Sequence, residues 1–409
     1  VPVLAVAEAA GVAPASSMHD ADEINDWARG NVGAWTQTFV FAVAPGAALL
    51  PLLRRHARRH VDDHTATVAA VATVCSTMIL LFSVYLYAHV LVAFCAFLAW
   101  HVLTSTRGTP TGRVLLAGTV IGLAVAAEFQ VAGAVAIFGL WVLVRHGLPR
   151  AIAFGLPTVA VGIGLLAWNR AVYGTVQTSY SSKPSQRATH EFLSPPKLYN
   201  TVEIFFGHKG FVFTPIVLVA LAGLAVALYR RMDDVVVPAA MFGFVFALQA
   251  GWSNPWGGET ANPRYMLLAI PFLAYPLAVA RPWFTTMFFR LLVGLGVVSM
   301  GLAAITLELL PKGQGLILAN LRYLADGRTG TTVFALAAGP VGWATYVAAG
   351  AADPEDVKME QDWTTAVAVA TGAAGYGGAK AVAAAVSDAL SGADLTLSRG
   401  RLVGLWFER

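Results

Sequence analysis

Two ionisable side chains stand where apolar stretches end, and both could move protons. Glu128 lies between two short apolar stretches, and His89 opens another after Tyr87 and Ala88. A carboxylate at membrane depth is costly and commonly marks function, whereas an imidazole can accept a proton, bind a phosphate or ligate a metal. The alternatives are a carboxylate at headgroup level and an interfacial histidine bonded to backbone. We predict Glu128 and His89 as catalytic candidates.

A polar, aromatic loop broken by glycine and proline separates two long apolar segments at residues 251–264. In and just after it stand Trp256, Glu259, Arg264 and Tyr265. Aromatic faces beside polar groups suit a sugar ring, and the arginine fork suits a phosphate. An aromatic belt is the alternative, but a belt needs neither the glycines nor Glu259. We predict these four residues as substrate-binding.

His208 and Lys209 precede a further apolar run. A lysine at a membrane interface can pair with a lipid phosphate, or it can simply extend its charge to the surface. Position alone does not separate the two readings, so both residues remain substrate-binding candidates. The sequence carries no Walker loop, no dinucleotide-binding glycine pattern, no HExxH and no GxSxG, so nucleotide-driven transport and serine hydrolysis lack local support.

Composition places the chain in a membrane. Of its 409 residues, 57% are hydrophobic and 12% charged, against roughly a quarter charged in soluble domains. The net charge of +4 is spread over short loops between apolar runs, which argues against nucleic acid as a partner. Cys75 and Cys95 both fall in apolar segments, where cysteine is usually a small hydrophobe, so no disulfide framework is implied.

Apolar runs of near bilayer length predict an all-α fold, a polytopic transmembrane bundle of about 10–11 spans with extracytoplasmic loops. The two short runs on either side of Glu128 form either a hairpin or one broken helix. The runs lie near residues 36–53, 65–82, 85–103, 114–127, 131–144, 151–168, 212–229, 235–251, 265–280, 291–310 and 331–349.

Arginine placement predicts the orientation of the bundle. Arginines concentrate in alternate loops, which are expected to face the cytoplasm. The loops 169–211 and 251–264 then face outward, and the protein is expected in a prokaryotic plasma membrane. We divide the chain into a transmembrane domain at 1–350 and an Ala/Gly-rich tail or interfacial helix at 351–409.

Five short segments together resemble the membrane glycosyltransferases of the GT-C superfamily, which are related to protein mannosyltransferases and aminoarabinose transferases. Their order and spacing hold over about residues 1–310. They are Tyr87-Ala88-His89, Ala127-Glu128-Phe129-Gln130, Trp168-Asn169 with Gly174, 206–211 with Thr214-Pro215, and Trp256-Gly257-Gly258 with Pro263-Arg264-Tyr265.

The resemblance implies a transferase that uses a polyprenyl-phosphate-linked sugar at the extracytoplasmic face. The acceptor would be a glycan, lipid or protein, and a divalent metal, Mg²⁺ or Mn²⁺, often takes part. Lys209 and Arg264 would hold the lipid phosphate, a carboxylate would act as general base, and Asn169 joins the substrate-binding set.

The sequence departs from the family pattern at its start. The superfamily's principal catalytic acid lies in the first extracytoplasmic loop, before a segment similar to residues 1–10, and that region is missing. The chain is then either a fragment of an active enzyme or an inactive or repurposed relative. The alternative functions are a lipid-linked glycan transporter or flippase, and a non-catalytic membrane scaffold.

Overall fold

The structure is a computed structural model. It describes residues 38–85, 87–105, 111–174, 194–252, 254–256, 261–306, 315–325, 396–397 and 400–401. The chain consists of two compact units. The larger is Phe41–Ala304 with Glu308–Arg322, and the smaller is Val1–Val40, Ile305–Leu307 and Tyr323–Arg409.

Thirteen α-helices are seen among the described residues. They confirm the predicted all-helical class, but not the predicted transmembrane bundle. A π-helical turn, Phe39–Val43, leads into the first helix, and 3₁₀ turns lie at Phe211–Phe213, Arg264–Leu268, Ile270–Leu273 and Arg281–Trp283. The helices are α1 Ala44–Ala57, α2 Asp63–Cys75, α3 Met78–Phe82, α4 His89–Thr104, α5 Thr111–Ala127, α6 Val131–His146, α7 Leu148–Tyr173, α8 Leu198–Phe206, α9 Ile216–Tyr229, α10 Val236–Gly251, α11 Ala274–Ala280, α12 Thr286–Thr306 and α13 Leu316–Ala325.

In the larger unit, α4 is the central helix. It packs against α1, α5, α6 and the 3₁₀ turn Arg264–Leu268. Its side chains Val90, Ala93, Ala96 and Trp100 are fully buried, and this apolar burial is the main stabilising term for such a helix. Packing therefore holds helix α4, and with it the residues at its two ends, firmly within the larger unit.

Glycine allows helices α5 and α7 to approach closely. A Cβ atom at Gly118 of α5 would overlap the carbonyl oxygen of Phe154 in α7. Thr158 of α7 donates a 2.9 Å hydrogen bond from Oγ1 to the Gly118 carbonyl. Only a residue without a side chain fits this crossing.

The expected 10–11 spans are not confirmed. Among the described residues, two helices are long and apolar enough to cross a membrane, Leu148–Ala171 and Thr286–Thr306, or three if the pair Leu198–Phe213 and Ile216–Tyr229, bent by 113°, counts as one. The run 65–82 is interrupted at Ser76 and Thr77. The run 265–280 contains Pro271 and Pro276 and folds into 3₁₀ turns and the short α11, because proline removes a backbone donor.

In the smaller unit, the described residues include two two-residue strands. Thr396–Leu397 pairs in antiparallel register with Gly400–Arg401, so that Thr396 lies opposite Arg401 and Leu397 opposite Gly400. The division expected at residue 350 falls outside the described residues and stays a prediction.

Candidate functional site

His89 and Glu128 lie in direct contact. His89 is the first residue of α4, and Glu128 directly follows the last residue of α5. The Nδ1 atom of His89 contacts Oε1 of Glu128, and the two side chains are 8% and 12% exposed. Gln130 donates a 2.6 Å hydrogen bond from Nε2 to the other carboxylate oxygen. Such a pair can hold a proton between an imidazole and a carboxylate, as acid–base chemistry requires.

Aromatic rings and one guanidinium surround this pair. Tyr87 stacks on His89 with ring centroids 5.4 Å apart, and Tyr265 meets the same imidazole edge to face at 5.5 Å. The guanidinium carbon of Arg264 lies 5.7 Å from the Tyr87 centroid and 5.0 Å from that of Tyr265, within cation–π range. His89, Glu128, Arg264 and Tyr265 therefore belong to one cluster, which we call the His89 site.

Amide side chains hold the loop that enters the site. Asn200 of α8 donates hydrogen bonds to the carbonyls of Ala250 and Trp252, at 2.8 Å and 2.6 Å. Gln249 donates a 2.8 Å bond to the carbonyl of Pro255. The three acceptors are backbone carbonyls at or just after the C-terminal end of α10, where a helix leaves carbonyl groups without a helical partner. The indole of Trp252 is thereby placed against the Tyr265 ring, at a centroid distance of 4.7 Å.

A second group lies beside the same loop and includes two predicted residues. The rings of His208 and Trp256 meet edge to face at 5.2 Å, and His208 Nδ1 is 3.8 Å from Oε2 of Glu203. The backbone N–H of Arg264 donates to the Trp256 carbonyl over 3.3 Å, which connects the group to the His89 site. Lys209 is almost fully buried at 1% exposure.

One predicted residue lies on a helix, and another falls outside the described residues. Asn169 was expected in a long outer loop, but α7 continues to Tyr173 and ends at Gly174 in the left-handed region with φ +70°. Asn169 therefore sits buried in the last turns of that helix. Glu259 lies outside the described residues. No group of three or more His, Cys, Asp or Glu side chains able to hold a metal ion occurs in the described part of the chain, and the expected divalent metal stays a prediction.

Sequence reasoning did not select Tyr87, Trp252 or Glu203 as site residues. Tyr87 precedes His89 by two positions, and that local spacing was an available signal. Glu203 lies on the short helix α8, five residues before His208, but α8 could not be recognised within the long loop expected at 169–211. Tertiary packing decides these contacts.

Comparison with known protein families gives a match over the C-terminal part of the chain. Residues 317–409, less than a quarter of the chain, match the family model described as Tail completion protein gp17. The described residues in this segment belong to α13, all but its first residue Leu316, and to the two short strands. No curated protein matches the chain, and no solved structure matches it.

This match overturns the GT-C expectation. A tail completion family does not fit a membrane glycosyltransferase, a polyprenyl-phosphate sugar donor or a glycan, lipid or protein acceptor. It does not indicate the transporter or scaffold alternatives either. The resemblance rested on motifs of a few residues, composed of Trp, Tyr, Gly and Pro. Those residue types recur wherever apolar helices end at turns, so they specify local structure and not an activity.

Proposed function

We propose that this chain is a structural protein of a phage tail, and that residues 317–409 connect it to other tail proteins. The single observation that carries this proposal is the match of that segment to the tail completion family. Its partners would then be tail proteins, and its contribution would be assembly and not catalysis.

The structural role is tested with tails assembled in the producing cells. The full chain and a variant that ends at Asp326, which keeps α13 and the described helices before it, are compared for incorporation into purified tails by quantitative mass spectrometry. We expect the full chain in tails and the shortened chain to be lost from them. Equal incorporation of both chains, or the absence of both, contradicts the proposal.

A second candidate competes with the tail role: we propose that the larger unit is held in a membrane, as the composition indicates. Helix α7 supports this proposal. Only 6% of the residues in its most apolar stretch are buried inside the protein, and exposed apolar surface of this kind marks a membrane or partner contact. The exposed side chains on α7 are Leu148, Ile152, Leu156, Val159, Ile163 and Leu166. Carbonate extraction of membranes from expressing cells tests it: the chain should stay in the pellet, and its release into the supernatant contradicts membrane insertion.

We propose that the His89 site binds a polar ligand. The observation that favours it is the buried contact of His89 with Glu128, next to the Tyr87 and Tyr265 rings on which the guanidinium of Arg264 lies. A buried acid–base pair is costly unless its environment compensates it, and buried ionisable groups concentrate at functional sites. Crystallographic or mass-spectrometric detection of a copurified ligand that Arg264→Gln removes, and Arg290→Gln retains, supports this role. A ligand-free protein from native membranes contradicts it.

A further inference from the structure

A polar cavity lies at the end of α4 that is opposite to His89. It has a volume of about 300 Å³ and is lined by the basic cluster Arg55, Arg58, Arg59, His101 and Ser105. His89 opens α4, whereas His101 lies in its last turn, so the helix separates this cavity from the His89 site by roughly 18 Å at 1.5 Å per residue. We call it the arginine cavity.

Arginine side chains at the arginine cavity are held by hydrogen bonds to neutral side chains. Arg59 Nη2 lies 3.0 Å from Nε2 and 3.2 Å from Nδ1 of His101, and its Nη1 donates to Thr104 Oγ1 over 3.0 Å. Arg113 donates a 2.9 Å hydrogen bond to the Ser105 hydroxyl. His101 is buried. These contacts orient the Arg59 guanidinium without neutralising its charge.

The arginine cavity has more positive than negative charge. Asp63 pairs with Arg54 at 2.8 Å and with Arg58 at 3.0 Å, so one carboxylate serves two guanidinium groups. In the part of the chain that the structure describes, neither Arg55 nor Arg59 forms an ion pair with a carboxylate. Asp234 acts on Arg59 only through space. Among the described residues, the guanidinium groups of Arg55 and Arg59 therefore have no contacting counter-ion in the cavity.

We propose that the arginine cavity binds a phosphate group. Arginine presents a planar fork of donors that matches phosphate oxygens, and such charge-assisted bonds are stronger than neutral ones. The cavity volume lies at the lower end of small-molecule sites, which suits a phosphate ester and not a larger nucleotide. The phosphate can belong to a lipid headgroup or to a soluble ester, and the chemistry of recognition is the same for both.

A charge cluster that only sets membrane orientation is the competing interpretation. It accounts for arginines near a helix end, but it requires neither a cavity nor the hydrogen bonds that hold Arg59 against His101 and Thr104. The two interpretations differ in one measurable respect, because an orientation signal has no saturable affinity for phosphate.

The test uses the full chain in uncharged detergent. Inorganic phosphate is titrated by calorimetry at constant ionic strength, and flotation is measured with phosphatidylcholine vesicles with and without phosphatidate. The variants are Arg55→Gln and Arg59→Gln, and the matched control is Arg290→Gln, an exposed arginine of α12. The Arg55 side chain is exposed, so its variant guards against misfolding of the Arg59 variant.

We expect saturable binding that falls about tenfold or more in each cavity variant and is unchanged in the control. Binding of phosphate together with phosphatidate vesicles identifies a headgroup site, and binding of phosphate alone identifies a soluble ester. Phosphatidate binding alone, if lost in Arg55→Gln, also supports the proposal for a lipid source. Failure of both probes to bind, or equal binding by Arg55→Gln and the control, overturns it.

Discussion

Thr214 and Asn262, 48 residues apart, are joined by a hydrogen bond of 3.0 Å in which the Thr214 hydroxyl donates to Oδ1 of Asn262. Both side chains are completely buried. Asn262 has φ +62°, in the left-handed region that asparagine tolerates better than most residues. This contact holds the last residues before Arg264 and thereby sets the direction in which its guanidinium leaves the chain.

The Asn262 contact predicts a graded effect of substitution. Asn262→Gly keeps the backbone conformation and loses the hydrogen bond, which should cost about 1 kcal/mol. Asn262→Ala loses the bond and adds strain at positive φ, for a total of about 2–3 kcal/mol. Denaturant unfolding of both variants measures the difference. Equal stabilities would show that the backbone at 262 relaxes freely.

The buried pair His89–Glu128 predicts strong coupling. Glu128→Ala leaves His89 without its contact in a buried place, and we expect a loss of about 3 kcal/mol in the free energy of unfolding. The double variant His89→Phe with Glu128→Leu should lose much less than the sum of the single variants. Glu203→Ala is the control, because its contact with His208 is longer and more exposed, and about 1 kcal/mol or less is expected. Additive single effects would refute the coupling.

The helix crossing at Gly118 predicts opposite effects of the same substitution at two glycines. Gly118→Ala forces α5 away from the Phe154 carbonyl and should destabilise by about 1–3 kcal/mol. Gly155→Ala meets open space in helix α7, so it should be neutral or stabilise by up to about 1 kcal/mol. Thermal unfolding of the two variants in the same detergent compares them. A Gly118→Ala variant as stable as Gly155→Ala would mean that the helices are not in close contact.

His60 predicts a pH dependence of stability. Burial lowers the pKa of His60 below its ordinary 6.5, and the nearby charge of Arg59 also lowers it, whereas Asp234 and Asp233 act in the opposite direction. The unfolded chain therefore binds a proton near pH 6.5 that the folded chain refuses. The free energy of unfolding should fall as the pH drops below 6.5, by at most about 1.4 kcal/mol per pH unit from this one proton.

The measurement is the unfolding midpoint between pH 7 and about 5, the range in which histidines titrate. His60→Gln should flatten the curve in this window, whereas His64→Gln, at an exposed position of α2, should leave it unchanged. Burial also raises the pKa of Asp234, but that carboxyl affects stability from pH 3.8 upward with the opposite slope. A His60→Gln curve identical to the parent would assign the acid sensitivity to other groups.

Much of the helical architecture could be predicted from apolar runs. The runs at 85–103 and 235–251 appear as α4 and α10 with small shifts. The two runs beside Glu128 form the separate helices α5 and α6. The number of spans could not be predicted, because hydropathy does not register the break at Ser76–Thr77 or the effect of Pro271 and Pro276 on helix geometry.

The residue types of the candidate site and the proximity of His89, Glu128 and Arg264 were predictable, whereas the contacts of Tyr87, Trp252 and Glu203 were not. His89, Glu128, Arg264 and Tyr265 each lie at the end of an apolar run, and the structure brings them together. Their roles in binding or catalysis remain predictions. The partnership of Tyr87 with Arg264 depends on packing between distant segments, and no local pattern in one sequence encodes it.

Helix α4 begins with His89 and carries His101 in its last turn, within one rod of 16 residues. Side chains on several sides of this helix are buried, and close packing of this kind restricts bending of the helix. A ligand that moved α4 along its axis at one end would therefore also move the residues at the other end, and the resulting change in affinity would be by the same factor in both directions. A single helix joins the two polar ends.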